Sequence, residues 1–182
     1  MSSLPKTMRT AVMEDIQKIG HVIRPLPEAS EHEVIVKIEH VGISFYDLTY
    51  YATGRIQDFV AVPPFVLGRE AGGKVVFCGE DVNHLKVGDT VALEPILFCG
   101  TCELCKIGHY HLCQEERIFG SPPLDGFFSE FVVHPACLTH KVPNSLDSLD
   151  ASLIEPMAIG FHAAKLTEAK LGQRVVIFGA GA

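Results

Sequence analysis

The stretch CGTCELCKIGHYHLC, residues 99–113, decides how this chain is organised. Its cysteines follow the pattern C-x2-C-x2-C-x7-C and are Cys99, Cys102, Cys105 and Cys113. Short C-x2-C spacings let neighbouring thiolates converge on one ion, and four thiolates close a tetrahedron around Zn²⁺ at about 2.3 Å. Gly100 and Gly108 give the loop the backbone freedom to wrap. We therefore predict one structural zinc, with no open position for catalysis.

Other interpretations of this cysteine cluster stay open. The thiols could be free and buried, form two disulfides, or hold an iron–sulfur cluster. Soft sulfur ligands favour zinc or iron–sulfur over hard cations. Iron–sulfur motifs often place Pro after the last Cys, whereas Gln114 stands here. His109 and His111 lie inside the same segment and are competing ligands, although four cysteines suffice.

Composition bounds the remaining classes of protein. The 182 residues are 47% hydrophobic and 20% charged, which suits one well-buried globular domain with a short extension. The net charge of -7 argues against nucleic-acid binding, including a zinc-finger module, because phosphate contacts need clustered Lys and Arg. No apolar run has the length of a membrane span, and no apolar signal region follows the polar start. We therefore expect no membrane partner and a cytoplasmic location.

The first two-thirds of the chain predict a mainly β fold. Short apolar or alternating runs separated by turn residues indicate strands in a barrel or sandwich. These runs are residues 7–13, 33–40, 73–78, 90–93 and 127–134.

The pattern changes after residue 149. Residues 149–170 have helical spacing, with Asp150 as the expected N-cap. Pro156 is awkward inside such a helix, so the helix is expected to start after it or to break there. Residues 173–178 (QRVVIF) are typical of a buried parallel strand and run into Gly179 and Gly181.

Several segments, read in chain order, resemble one known family. The chain is similar to the catalytic domain of zinc-dependent medium-chain alcohol dehydrogenases, and after the paired tyrosines to the sorbitol and xylitol dehydrogenase branch. The segments, besides the cysteine cluster, are VGISFYDLTYY (41–51), GRIQDF (54–59), LGREAG (67–72), VGDTVALEP (87–95), DGFFSEFVV (125–133) and LIEPMAIG (153–160).

The resemblance implies a fold and a reaction. The expected fold is a GroES-like β-barrel with a four-cysteine zinc lobe over residues 1–150. Residues 151–182 would be a connecting helix and the first strand of a truncated Rossmann domain. The implied reaction is NAD-linked oxidation of a secondary alcohol on a small polyol, in which zinc polarises the substrate oxygen. The resemblance also implies a homo-oligomer.

The family's catalytic zinc site departs from its pattern here. The family uses a Cys, a His, the Glu beside that His, and a second Glu. This chain has Ser44 and Arg69 at the first two positions, while Glu70 and Glu155 match. A serine hydroxyl is a poor zinc ligand, and arginine has no lone pair to offer. We expect no catalytic zinc, and we expect Arg69 to pair with Glu70 or Glu155 in its place.

Two further positions of the family's site are altered or ambiguous. Thr49 stands at the position of the branch's proton-relay histidine. Tyr50 either lines a polyol pocket or packs in the core, and packing is the commoner role of such an aromatic.

The glycine fingerprint for a dinucleotide is incomplete. Gly179 and Gly181 begin G-x-G-x-x-G, but the third glycine, the helix and the ribose-binding acid are absent from the sequence. We expect this fragment not to bind NAD and its last strand to have no sheet to join. The chain alone is then expected to be inactive. The alternative is a non-catalytic, zinc-stapled structural or assembly domain.

Overall fold

The computed structural model describes residues 4–179, and the architecture is mainly β. Strands β1 to β11 are Thr7–Asp15, Lys18–Pro25, Glu33–Gly42, Arg55–Ile56, Phe59–Val60, Glu70–Cys78, Thr90–Leu93, Ile96–Leu97, Arg117–Ile118, Phe131–Pro135 and Thr139–Lys141. Helices α1 to α4 are Phe45–Thr53, Glu103–Lys106, Ser148–Ser152 and Ile154–Leu166. Two 3-10 turns are Tyr110–Leu112 and Ala136–Leu138.

The central sheet has five antiparallel strands in the order β10-β3-β6-β7-β11. Two register shifts between β3 and β6 bend it, because a bulge increases local twist. The β1–β2 hairpin lies along the open side, where the Ala11 amide donates to the Phe128 carbonyl at 2.8 Å. Met13 and Phe65 exchange two further backbone bonds. The predicted mainly β fold is confirmed as a curled, partly closed barrel.

The strand predictions differ from the structure in one strand's start and in six strands that were not predicted. Strand β10 begins at Phe131 rather than residue 127, because the amides of Phe127 and Phe128 donate to the Gly68 and Leu67 carbonyls instead of joining the sheet. The short strands β4, β5, β8, β9 and β11 were not predicted, and neither was the longer strand β2. None of its residues is buried, so its sequence has little of the apolar alternation that marks a half-buried strand.

The segment after residue 147 differs from the prediction of a helix that starts after Pro156 or breaks there. The chain forms α3 and α4 with a break at Leu153. The N-cap is Asp147, and Asp150 is its partner in a capping box, so the expectation that Asp150 caps the helix is wrong. Pro156 is the third residue of α4, a position whose N–H needs no intrahelical acceptor, so the helix starts before it.

The run at residues 173–178 forms no strand within the described part of the chain. Val175, Ile177 and Phe178 are largely exposed, and Gly181 lies outside the described residues. A buried parallel strand needs neighbours on both sides, and none is present among residues 4–179. No helix among those residues is long and apolar enough to cross a membrane.

Two apolar clusters hold the elements that carry the candidate site. A smaller cluster lies beneath α1 and consists of Met13, Tyr50, Ala61, Phe65 and Leu67. The main core fills the curled sheet and consists of Val34, Val36, Ala71, Val75, Leu85, Val91, Leu93, Phe119, Phe127, Val132 and Ala136. Glu70, the first residue of strand β6, and Arg69 just before it therefore lie at the edge of the main core.

Candidate functional site

Ser44 caps helix α1. Its hydroxyl donates to Asp47 Oδ2 at 2.6 Å and accepts from the Asp47 amide at 3.2 Å, while its own amide donates to the same carboxylate at 2.8 Å. The other Asp47 oxygen accepts from the Gly68 amide at 2.7 Å. Sequence reasoning missed α1, although Ser44 and Asp47 have the spacing of a capping box. The serine at the ligand position is thus engaged in holding the helix start to the loop before β6.

Arg69 is buried and makes neutral contacts. One guanidinium nitrogen donates to the Gly120 carbonyl at 3.2 Å and to Ser121 Oγ at 3.0 Å. The guanidinium lies 4.2 Å from the centroid of the Tyr46 ring, a cation–π contact. Its Nε has no hydrogen-bond partner within residues 4–179.

The expected ion pair of Arg69 is therefore wrong. Among the described residues, no salt bridge joins Arg69 to Glu70 or Glu155. The planar guanidinium is held on Tyr46 and turned toward Gly120, so it acts on the carboxylates only across a longer distance. Nothing in the sequence brings residues 120–121 to Arg69, which is why the pattern could not predict this contact.

Glu70 and Glu155 lie near enough to Arg69 to feel its charge, and both also feel the Asp47 carboxylate. Burial, and next the Asp47 carboxylate, raise the pKa of Glu70, while the Arg69 charge lowers it. Burial, and next the Glu70 carboxylate, raise the pKa of Glu155, again opposed by Arg69. The raised values show that one guanidinium does not compensate the desolvation and mutual repulsion of these acids. The structure thus places Ser44, Arg69, Glu70 and Glu155 near one another, together with Asp47, and we refer to these five residues as the candidate cleft.

These residues do not fit a zinc ion. A tetrahedral site with an open position needs three protein ligands that offer lone pairs. Ser44 is committed to the helix cap, and Arg69 places a positive charge where a ligand would be. Within residues 4–179, the carboxylates of this cleft do not belong to any group of three converging metal-ligand atoms.

The two other predicted positions lie on α1. The Thr49 hydroxyl donates to the Phe45 carbonyl at 2.8 Å, within the helix itself. Tyr50 is 1% exposed, and its ring lies 6.2 Å from that of Phe65 in the smaller core. The structure therefore places Tyr50 in packing rather than on an open pocket surface.

The four cysteines converge as their spacing predicts. Their sulfurs all lie within 4.8 Å of one another, and Cys99 Sγ is 3.9 Å from Cys105 Sγ. A tetrahedral Zn²⁺ with bonds of about 2.3 Å separates its sulfurs by about 3.8 Å. The short β8–β9 pair forms the base of this lobe, and Cys102 caps α2.

Backbone amides prepare the lobe for a cation. Hydrogen bonds from Thr101 and Cys102 lower the pKa of Cys99 to about 6. Desolvation, and next the Cys102 sulfur, raise the pKa of Cys105 to about 12. One thiolate is thus favoured, but further thiolates beside it need a positive ion. None of the six cysteines forms a disulfide, so the disulfide interpretation is wrong.

Glu94 is a residue that sequence reasoning missed. Its carboxylate accepts from the Tyr110 hydroxyl at 3.3 Å in the lobe and lies 2.8 Å from His140 Nε2 in the barrel. Burial opposes ionisation, but these two hydrogen bonds lower the pKa of Glu94 overall. The ionised carboxylate therefore links the cysteine lobe to strand β11.

Comparison with known proteins identifies the family of this chain. Residues 30–144 match the family described as the alcohol dehydrogenase GroES-like domain. The chain is 39% identical over 179 residues to a sorbitol dehydrogenase of Bacillus subtilis, covering 98% of this chain and 51% of that protein. It is 40% identical over 178 residues to a probable D-xylulose reductase A of Arthroderma otae, covering 97% of this chain and 50% of the relative.

A solved structure agrees as well. An oxidoreductase/dehydrogenase of unknown specificity from Escherichia coli superposes with a TM-score of 0.86 at 31% identity, covering 92% of this chain and 49% of that one. The chain spans about half the length of the curated relatives that it matches. By its sequence match, its curled β-barrel and its four-cysteine lobe, the chain belongs to the alcohol dehydrogenase GroES-like domain family.

Proposed function

We propose that this chain is the zinc-stapled catalytic-side domain of a polyol dehydrogenase lineage, and that it does not oxidise polyols by itself. The names of its sorbitol dehydrogenase and D-xylulose reductase relatives support a small polyol as the substrate class and alcohol-to-ketone oxidation as the family reaction. One observation supports the proposed lack of activity. Arg69 occupies the position of the family's zinc-binding histidine, and its guanidinium packs on the Tyr46 ring.

The four cysteines are proposed to hold one zinc. Bound there, the ion supplies a cross-link between the two ends of the lobe and no catalysis, because four thiolates fill its coordination shell. Cys99, Cys102 and Cys105 are offered by the loop before α2 and by α2 itself, and Cys113 by the end of the turn Tyr110–Leu112.

We propose that NAD is the cofactor of the family reaction. We also propose that residues 4–179 of this chain do not form a site for it. A pyrophosphate is held where a buried strand turns into a helix N-terminus. Here residues 175–178 are exposed and unpaired in the described part of the chain, and Gly179 is the last described residue of the fingerprint.

The proposal is tested by zinc content per chain after gel filtration in metal-free buffer. We expect one zinc, lost in Cys113→Ser. We expect the double variant Ser44→Cys/Arg69→His to gain a second zinc, since Glu70 and Glu155 are already in place. A second zinc in the parent that is lost in Glu155→Gln, or zinc-dependent NAD reduction with sorbitol or xylitol, would overturn the proposal.

A non-catalytic assembly domain is the second candidate, favoured by one observation. Helix α4 leaves large apolar side chains exposed, namely Met157, Ile159, Phe161 and Leu166. A face of this kind marks an interaction surface when it is contiguous. Light scattering over a range of protein concentrations tests this candidate. Self-association that is lost in Phe161→Ser would support it, whereas a monomer at all concentrations would rule it out.

A further inference from the structure

His111 lies between two other histidine rings, one in the cysteine lobe and one on helix α4, outside the sites described above. His109 and His111 flank Tyr110 in the lobe, and His162 lies on α4. The ring centroids of His109 and His111 are 5.8 Å apart, and those of His111 and His162 are 5.4 Å apart. All three histidines are exposed.

The ring spacing is close to that of imidazoles sharing a metal ion. With metal–nitrogen bonds of about 2.0–2.1 Å and tetrahedral angles, two ligating rings have centroids about 5 Å apart. Imidazole suits Zn²⁺, Ni²⁺ and Cu²⁺. No hydrogen bond or salt bridge occupies the side chains of these three histidines among residues 4–179, so their nitrogen lone pairs are available.

The backbone beneath the rings is fixed, while the rings can turn. The Tyr110 ring packs on Phe98 with centroids 4.7 Å apart, and its hydroxyl donates to Glu94, so the turn that carries His109 and His111 is anchored. The ring nitrogens do not yet form a converging group. Since the side chains are exposed, a change of rotamer can aim one nitrogen of each ring at a common point at small cost.

We propose that His109, His111 and His162 bind one divalent transition ion of the Zn²⁺ class, with water completing its shell. This site is separate from the four cysteines and exchanges its ion with solvent. Because His162 lies on α4 and the other two ligands lie in the lobe, the bound ion ties the helix to the lobe. The site does not depend on whether the chain oxidises polyols.

The test is calorimetric titration of Zn²⁺ into untagged chain whose cysteine site is already filled. We expect one further equivalent to bind, and we expect His111→Gln and His162→Gln each to weaken that binding on the order of tenfold or more. The exposed His21→Gln is the matched control and should bind like the parent. Absence of a further equivalent, or unchanged affinity in His162→Gln, overturns the proposal.

Two rival locations are separated by the same titration. Glu31, His32 and Asp81 form an exposed group whose ligand atoms lie within 4.8 Å of one another. If His32→Gln removes the further equivalent, the ion binds there. If Glu155→Gln removes it, the ion binds in the cleft. Either result overturns the histidine site.

Hydrogen exchange gives an independent readout of the tie between lobe and helix. Saturating Zn²⁺ should slow amide exchange in α4 of the parent, and His109→Gln should abolish that slowing. The variant removes a lobe ligand only, so any change in α4 must pass through the ion. Exchange in α4 that is indifferent to Zn²⁺ in the parent would refute the tie.

Discussion

Acid should destabilise this fold through His134, a fully buried histidine on β10. Its Nε2 lies 3.1 Å from the Glu94 carbonyl, which can only accept, so Nε2 carries the hydrogen. Its Nδ1 is then an acceptor and lies 2.8 Å from the Thr139 hydroxyl, whose one hydrogen is shared between this nitrogen and the Pro135 carbonyl at 2.9 Å. The ring packs against Phe119 at 5.3 Å between centroids, so a second proton would place a charge in apolar surroundings.

The magnitude follows from the pKa. Burial lowers the pKa of His134 from 6.5 to about 4 in the folded state. The unfolded chain therefore takes up the proton first, and stability that is complete above about pH 6.5 falls as the pH approaches 4. The loss amounts to about 2 kcal/mol at pH 5 and about 3 kcal/mol in the acid limit.

Urea unfolding of the parent and of His134→Gln at pH 7 and pH 5 measures this loss. The glutamine amide can donate to the Glu94 carbonyl and does not titrate. The parent should lose about 2 kcal/mol more between the two pH values than the variant, while effects of acid on the shared cysteine lobe cancel. The exposed His21→Gln should behave like the parent. Equal losses in parent and His134→Gln would refute the reasoning.

Three further changes have expected outcomes. Cys113→Ser should remove the zinc found by elemental analysis and open the lobe to proteolysis, because three thiolates leave the shell incomplete. Gly72→Ala should lower the free energy of unfolding in urea by about 3 kcal/mol, because the added Cβ would meet the backbone of α3. Gly160→Ala, where the added Cβ has open space, should raise that free energy by up to about 1 kcal/mol. Similar values for the two variants would refute this reasoning. Ser44→Ala should lower the free energy of unfolding by about 1 kcal/mol in the same assay, because alanine cannot cap α1. Ser44→Thr keeps a capping hydroxyl and should lower it less. Equal losses in the two variants would contradict the capping role.

Local patterns predicted five of the eleven strands, including four of the five in the central sheet, but less of the chain's end. Residues 33–40, 73–78 and 90–93 lie within observed strands because their apolar residues fill one core. The helix break at Leu153 was not predictable, because the cap at Asp147 and the docking of α3 beneath Gly72 compete with a continuous helical pattern.

The candidate cleft shows that the spacing of residues along the sequence does not predict which partners a buried charged side chain contacts. The identities of Ser44 and Arg69 already argue against a catalytic zinc, since neither side chain offers a good ligand. The position of the Arg69 guanidinium depends on its contacts with the Tyr46 ring and the Gly120 carbonyl, and both residues are more than 20 positions away in sequence. The expected salt bridge failed for that reason.

The sequence by itself determined the chemistry of the lobe and the loss of the second ligand set. Four cysteines at short spacings must converge, and an arginine cannot ligate a metal in any fold. Only the tertiary structure decided which partners the buried charges have, that Tyr50 packs in the core, and that His162 meets His111. Those facts depend on contacts between residues far apart in the chain, and such contacts form when separate elements bury their apolar faces together.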